Sequence, residues 1–440
     1  MRILLLTAYF PPDTGSAAHL FYELGTALVQ RGHQVTVVTG MPGYHAQGSL
    51  QPYAGQRRLC ESVNGIHVVR VVTPLRSSHS MVGRALWQFG AALAFFVAGI
   101  GLPPHDAVVL YSPPLPLGLA AWGWHRFRGL PFVINVQDLF PRSVIDLGLL
   151  RHPLVIRAFE LLERFLYRRA SWITVHSPGN RHHVIACGGD PQRVTVVPNW
   201  VDIHFIRPGP RENAFRTRHR LGDAFIASFA GVLGYSQDLD VILEAAALTA
   251  EKEEVTWLVV GDGVHGPRLR QKAALMGLNN VRFLPMQPRE SYSELLQASD
   301  VGLATLRSDV TTPVVPSKIL SIMAAGLPVV TALPLDGDAS RLIAEARCGI
   351  CLPPGDAPAL AEAVVKLWRN RSLRQRLGEC GRRYTERRLS LDAGAATYED
   401  LLERLLVYAG RPHLLARQPG RAHSHTAHPR VGESARGGRF

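Results

Sequence analysis

The chain has 440 residues, 47% of them hydrophobic and 19% charged, with a formal net charge of +13. That length and composition suit two globular domains, each with its own core, and exclude a disordered or fibrous chain. The cationic excess, largely arginine, calls for an anionic partner such as phosphate, an acidic membrane surface or nucleic acid, while five scattered cysteines exclude a disulfide framework.

Met1 to Ala8 is a continuous apolar run of the kind that forms a strand buried on both faces, closed by Pro11 and Pro12. With no cleavage region behind it, it reads as a first strand rather than a secretory signal. "GSAAHLFYELGTALVQRGH" places Leu20, Leu24, Ala27 and Leu28 on one helical face, with Gly32 where a C-terminal cap belongs. "QVTVVT" is the next strand, and the same order repeats through "GIHVVRVV", "DAVVLYS", "PFVINVQD" and "SWITVHS". This alternation predicts a Rossmann-like domain over residues 1–205.

The longest apolar run, Ala85 to Leu102, falls inside that domain and is about as long as a membrane-spanning helix needs to be. The strands on either side of it belong to one sheet, so a single span would separate them across a bilayer. The expectation is a helix or helical hairpin, partly core and partly docked at the membrane interface, with Arg57, Arg58, Arg70, Arg76 and Arg84 near anionic headgroups. A fully buried helix is the alternative.

"RVTVVPNWVDIHFIRPGP" reads as a hinge, and a second alternation follows through "FIASFAG", "VTWLVVGDG", "NVRFLP", "DVGLATL", "LPVVTA" and "CGICLPPG". It predicts a second Rossmann-like domain over 206–383. "YEDLLERLLVYAG" is a last amphipathic helix, within 384–410, and residues 411–440, rich in Arg, His, Pro and Gly, read as a basic disordered tail whose His423, His425 and His428 form no site. Ligands of open α/β sheets bind outside the carboxyl ends of the strands, so the cleft between the two domains is the expected site.

Three glycine-bearing loops follow strands and precede helices: "PPDTGSAAH" with Gly15, Ser16 and His19, "AGVLGYSQDLD" with Gly231 and Gly234, and "VVGDGVHG" with Gly261 and Gly263. Glycine lets backbone N–H groups approach an anion, and a helix N-terminus behind the loop favours negative charge, so a nucleotide diphosphate is expected in the cleft. In "TTPVVPSKILSIMAAGLPVV", Pro316 fixes the helix entry and Ser317 is a natural N-cap. Lys318 then stands in the first turn, where a cation opposes the helix dipole unless an anion sits there too. Lys318 is therefore expected on the diphosphate. Asp238 and Asp240 sit where a helix begins, where acids are ordinary, and no metal is assigned to them. Cys348 and Cys351 form a C-x-x-C inside a short apolar run and read as structural.

Taken in their order, "PPDTGSAAHLFYELGTALVQRGHQVTVVT", "VINVQDLFPRSV", "VVPNWVD", "AGVLGYSQDLDVILEAA", "VVGDG", "PSKILSIMAAGLPVV" and "CGICLPPGD" make the chain to about residue 408 resemble the retaining GT-B glycosyltransferases of group 1, family 4 type. The bacterial branch that builds O-antigen and colanic-acid-type polysaccharides is the nearest in pattern. The resemblance implies an α/β GT-B fold of two Rossmann-like domains facing a cleft, with a C-terminal crossover helix returning to the first. It implies transfer of a sugar, with retention and without metal or other cofactor, from a nucleotide donor on the C-terminal domain to an acceptor on the N-terminal domain.

Several residues depart from that pattern. The paired glutamates of many members are Pro313 and Ser321 here, the Arg and Lys after the first C-domain strand are Val232 and Gln237, and the acceptor-side histidine is Gln137 beside Asp138. Lys318 and Arg341 are the expected replacements for the phosphate charges, and Asp138 the group that orients the acceptor hydroxyl or stabilises developing sugar cation charge. The expected donor set is Gly231, Gly234, Gly261, Gly263, Ser317, Lys318, Ser321 and Arg341, with Asp138 and Lys318 catalytic. The expected acceptor set is Gly15, Ser16, His19, Gln137 and Asp138.

The function expected is transfer of a hexosyl group, an N-acetylated amino or deoxy sugar, from a UDP-type donor to a polyprenyl-diphosphate-linked acceptor at the inner face of the plasma membrane. A non-catalytic nucleotide-sugar scaffold and a nucleotide-sugar epimerase of the same fold are the alternatives.

Overall fold

The computed structural model describes residues 1–43, 46, 49–74, 81–252 and 254–417. Among these, the first half forms strands β1 (Arg2–Leu6), β2 (Gln34–Gly40), β3 (Arg58–Val63), β4 (Ile66–Val71), β5 (Ala107–Ser112), β6 (Phe132–Val136), β7 (Trp172–Val175) and β8 (Val194–Val196). They lie in one sheet in the order β3-β4-β2-β1-β5-β6-β7-β8. The second half contributes β9 (Phe225–Ala230), β10 (Val255–Val260), β11 (Val281–Leu284), β12 (Val301–Thr305), β13 (Val329–Ala332) and β14 (Gly349–Leu352), ordered β11-β10-β9-β12-β13-β14. Every residue of β5, β6, β9, β12 and β13 is buried, which is why these segments read as predominantly apolar runs.

All pairings are parallel except that of β3 with β4. The sequence reading overlooked β3, whose residues alternate between exposed and half-buried on a sheet edge. Its hairpin turns on Asn64-Gly65, both with positive φ (48° and 81°), as a tight two-residue turn requires.

Helices α1 (Ser16–Gln30), α2 (Met81–Ile100), α3 (Leu117–Arg128), α4 (Arg142–Asp146), α5 (Pro153–Arg169) and α6 (Pro178–Ala186) belong to the first half. The second holds α7 (Ala214–Arg218), α8 (Asp240–Ala247), α9 (Gly266–Leu275), α10 (Arg289–Gln297), α11 (Ser317–Ala324), α12 (Asp338–Ala346) and α13 (Ala357–Arg369), followed by α14 (Arg371–Arg388) and α15 (Leu391–Tyr408). Each sheet therefore carries an apolar cluster on each face.

The chain leaves the first core at Trp200 and enters the second at Val201, then returns between Leu389 and Leu391. The two crossings lie side by side, with the Val201 N–H on the Leu389 carbonyl (2.9 Å) and the Leu391 N–H on the Val201 carbonyl (3.3 Å). The crossover helix starts at Leu391 rather than at 384, because residues 384–388 complete α14, which still packs on the second half. Pro412–Arg417 form a 3-10 segment where an unstructured tail was expected, and His423, His425 and His428 lie outside the described residues.

Buried polar groups fix the returning helix. The Tyr398 hydroxyl meets Asn135 Nδ2 (2.5 Å) and Thr174 Oγ1 (2.9 Å), and Glu399 accepts from Arg31 and meets His33 Nε2 at 3.0 Å. Tyr398→Phe removes one partner from two buried groups and is expected to lower unfolding free energy by about 1–3 kcal/mol, measurable by denaturant unfolding.

Helix α2 carries the long apolar run and is only half a core helix. Ala91, Ala92, Phe95 and Ala98 are buried against the sheet, whereas Leu86, Phe89, Leu93, Val97 and Ile100 face outward, Leu93 65% and Val97 57% exposed. Among the described residues, no helix is long and apolar enough to cross a membrane. Arg70, expected near headgroups, is instead fully buried, bonded to Glu61 and the Pro11 carbonyl. Arg76 and the side chain of Arg84 lie outside the described residues.

Candidate active site

The loops leaving β9 and β10 are pressed together. Gly231 N–H bonds the Val260 carbonyl (2.9 Å), Leu233 N–H the Asp262 carbonyl (2.9 Å), and His265 N–H the Leu233 carbonyl (3.1 Å). Gly261 and Gly263 have φ of 149° and 153°, and a Cβ would stand 1.8 Å from the Gly231 oxygen and 2.5 Å from the Leu233 oxygen, respectively. Their glycine character thus answers first to loop-on-loop packing rather than to an approaching phosphate. Gly234 meets no more than the Val232 side chain, whereas Gly231 faces Lys318, whose Nζ would lie 3.4 Å from its Cβ.

Helix α11 begins beside these loops. Pro316 holds the N-cap position and Ser317, exposed, is the first helical residue and makes no capping bond, so the natural cap expected at Ser317 is displaced by one residue. Lys318 keeps part of its surface towards the cleft, but protein surrounds its ammonium. The Nζ lies 3.5 Å from the centroid of the Phe229 ring and donates to Gln237 Oε1 at 3.0 Å. Burial pushes its pKa down to about 7, and no carboxylate among the described residues pairs with it. Gln237 occupies the place where the resemblance expected a cation, and the lysine of α11 brings its ammonium to that point from another element.

The remaining donor-side residues are placed differently. Ser321 hydrogen-bonds the Tyr292 hydroxyl, a phenol pushed up by burial. Arg341 lies on the exposed face of α12, 3.9 Å from Asp338. Asp338 is buried and accepts from the Gly179 N–H of the opposite half at 2.9 Å. Asp240 is held by Arg268 and Lys272, and Asp238 accepts from the Val241 N–H, so both acids of "DLD" serve the start of α8.

On the N-terminal half, Gly15 (φ 111°) precedes α1, which Ser16 opens. His19 Nδ1 lies 2.8 Å from Arg289 Nη1 of the other half, and Arg289 Nη2 donates to Glu23 at 2.6 Å. Burial and then the arginine charge push His19 down to about 4, so its neutral ring accepts from Arg289 and bridges the halves. Gln137 is buried, donating to Asn135 Oδ1 (2.9 Å) and accepting from Asn199 Nδ2 (2.7 Å). Both ends of its amide are engaged inside the protein.

Asp138, directly after it, keeps an exposed surface while protein atoms crowd around its carboxyl. Burial raises its pKa. Asp146 completes the contact between the halves by accepting from Thr311 (2.9 Å) and Thr312 (2.5 Å), in the segment that leads into α11. No local pattern marks Phe229, Arg289 or Asp338, because their partners lie on distant segments.

Two largely parallel sheets, a helix returning from the second to the first, and a largely buried lysine with no carboxylate partner among the described residues fit the GT-B architecture. Residues 14–200 match the model of the glycosyl transferase 4-like domain, and residues 224–370 that of the glycosyl transferases group 1. A D-inositol 3-phosphate glycosyltransferase of Thermomonospora curvata is 31% identical over 427 residues, 91% of this chain and 92% of that protein. The chain belongs to the group 1 glycosyltransferase family, and it is a glycosyltransferase.

Other relatives include the probable glycosyltransferase WbjE of Pseudomonas aeruginosa, 27% identical over 67% of this chain and 74% of that protein. The putative colanic acid biosynthesis glycosyl transferase WcaI of Escherichia coli is 24% identical over 74% and 82%. Among solved structures, Anabaena HepE in complex with UDP superposes with a TM-score of 0.69 at 18% identity, over 92% of this chain and 100% of that one. Sucrose-phosphate synthase of Thermosynechococcus elongatus superposes at 0.75 with 16% identity, over 92% and 99%. These two likenesses are of fold.

Proposed function

We propose that this glycosyltransferase moves a hexosyl group, an N-acetylated amino or deoxy sugar, from a UDP-type nucleotide sugar to a polyprenyl-diphosphate-linked acceptor in cell-surface polysaccharide assembly. The observation that carries the donor half is Lys318, a largely buried ammonium with no carboxylate partner among the described residues, at a helix N-terminus beside the Gly231 turn. In the reaction, the bond from the anomeric carbon to the β-phosphate oxygen breaks with its electrons leaving on the diphosphate. The acceptor oxygen bonds to that carbon on the same face, and its proton passes to the departing phosphate. Lys318 neutralises the leaving charge, Asp138 faces the sugar as it becomes cationic, and no catalytic metal is required. The UDP in the HepE structure and the colanic acid named for WcaI support this reading.

Calorimetric titration with UDP, GDP, ADP and dTDP, with and without magnesium, tests the donor half. Binding of one diphosphate without magnesium is expected, and binding of none would overturn the assignment.

The acceptor half rests on the outer face of α2. Its apolar stripe continues onto Phe127 of α3 and onto α5, where Leu154 and Leu161 are exposed and Phe159 stacks on Phe89. Arg126, Arg128, Arg157 and Arg164 stand exposed on the same two neighbouring helices. An apolar stripe flanked by arginines fits an anionic bilayer, where a lipid-linked acceptor and the inner leaflet would both be found. Leu93→Asp with Val97→Asp is expected to release the protein from vesicles containing anionic lipid without changing its thermal unfolding, since both side chains are exposed. Undiminished sedimentation with the vesicles would reject the surface.

The T. curvata relative favours a second reading, in which the acceptor is a soluble phosphorylated polyol. Donor consumption driven by inositol phosphate in the absence of lipid would select it.

A further inference from the structure

Away from the cleft, three metal-ligating side chains converge between α5 and α6. His183 on α6 and Cys187 at its C-terminal cap stand four residues apart, so one helical face presents both, and Glu163 reaches them from the buried face of α5. His183 Nε2 lies 3.1 Å from Glu163 Oε1 and 3.4 Å from Cys187 Sγ. All three donor atoms lie within 4.8 Å of one another.

Protons satisfy this arrangement only in part. Both contacts fall on the same ring nitrogen, which carries either one proton or one lone pair. Protonated, it donates to the carboxylate, shares that proton at most weakly with the sulfur, and leaves the thiol S–H no acceptor among the three groups. Deprotonated, it accepts from the thiol and turns its lone pair on the carboxylate oxygen.

A cation at the centre satisfies all three. With tetrahedral bonds of about 2.0–2.3 Å to N, O and S, a zinc ion would hold the nitrogen roughly 3.4 Å from the oxygen and roughly 3.6 Å from the sulfur. The nitrogen–oxygen and nitrogen–sulfur separations need to open by only a few tenths of an ångström, and the oxygen–sulfur separation, within 4.8 Å, would settle at roughly 3.6 Å. We propose that Glu163, His183 and Cys187 form a binding site for a zinc-class divalent cation, with three protein ligands and a fourth position for water.

Mixed imidazole, thiolate and carboxylate donors favour Zn²⁺ over the oxygen-seeking Mg²⁺ and Ca²⁺. The Cys187 thiol releases its proton to solvent as the metal binds, and no electron is exchanged. The buried Tyr167 hydroxyl hydrogen-bonds Glu163 and so orients that ligand from the second layer. A bound cation would pin α6 to α5, and the other end of α6 carries Gly179, whose N–H holds Asp338 across the cleft.

The test is a Co²⁺ titration of full-length protein freed of metal by chelation, followed by absorption. One equivalent is expected to raise tetrahedral d–d bands together with a thiolate-to-cobalt charge-transfer band, all displaced by Zn²⁺. Cys187→Ser should lose the charge-transfer band, His183→Gln should weaken binding on the order of tenfold or more, and a Cys348→Ser, Cys351→Ser double variant should keep the band. No charge-transfer band in the wild-type chain would overturn the proposal, whether or not the variants fold. So would a band that persists in Cys187→Ser or disappears with Cys348 and Cys351.

Discussion

Lys318→Met is expected to lower turnover roughly 10²–10³-fold and to weaken nucleoside-diphosphate binding, while nucleoside binding stays nearly unchanged. The variant should also be more stable than the wild type. Burial holds the lysine pKa near 7 in the folded chain against 10.5 for a free lysine. Below about pH 7 both states carry the proton and the folded state bears the full cost of the buried charge, on the order of a few kcal/mol. As pH rises from there towards the free-lysine value the folded chain has already shed its proton, and the wild type regains stability relative to the variant. Urea unfolding at two pH values measures this, and a destabilised Lys318→Met would contradict it.

The same shift makes diphosphate binding a proton-uptake reaction. At pH 8 the free enzyme holds Lys318 largely neutral, and an adjacent diphosphate favours the ammonium again. Up to one proton should therefore enter on binding, seen as a dependence of the calorimetric enthalpy on the ionisation enthalpy of the buffer. Affinity should fall as pH rises above about 7, and both effects should vanish in Lys318→Met.

Asp138→Asn is expected to lower turnover roughly 10²–10⁴-fold with donor affinity unchanged, because the residue stands on the wall opposite Lys318's and acts on the reacting sugar and acceptor. Its carboxyl is raised above the usual aspartate range by burial. A carboxyl raised in the folded state is protonated more readily there than in the unfolded chain, so stability falls as pH rises from the unfolded value through the folded one and the full cost is present above it. Asn should relieve that cost at neutral pH. The acid limb of the pH–rate profile should lie above that of an ordinary aspartate and disappear in the variant; equal activity of Asp138→Asn and wild type would remove Asp138 from the mechanism.

Lys318 and Asp138 share a physical signature: desolvation disfavours the charged form of each, and among the described residues no oppositely charged group pairs with either, although Asp138 keeps an exposed surface. Such groups are kept where a ligand supplies the missing partner, which is the physical reason that perturbed side chains cluster at functional sites. Arg289 and His19 show the contrary case, where the groups facing each other across the cleft already satisfy one another.

The sequence by itself determined the sheets. Runs such as "AVVLYS" and "VTWLVV" are mostly apolar because parallel strands are buried on both faces, and that constraint is local enough to read. It also determined that a lysine opens the α11 helix, since Pro316 and the following apolar spacing mark the start. Edge strand β3 stayed hidden because its alternation is polar, and the exact start of α15 because "TERRLSLD" carries helical residues on both sides of the crossing.

Only the tertiary structure decided what each site residue does. It turned Gln137 into the core, spent Gly261 and Gly263 on packing one loop against another, left Arg341 exposed, and set Lys318 over Phe229 against Gln237. It likewise brought Glu163 to His183 and Cys187, and buried Arg70. These outcomes depend on contacts between residues tens to hundreds of positions apart, and no periodicity or local propensity encodes such distances.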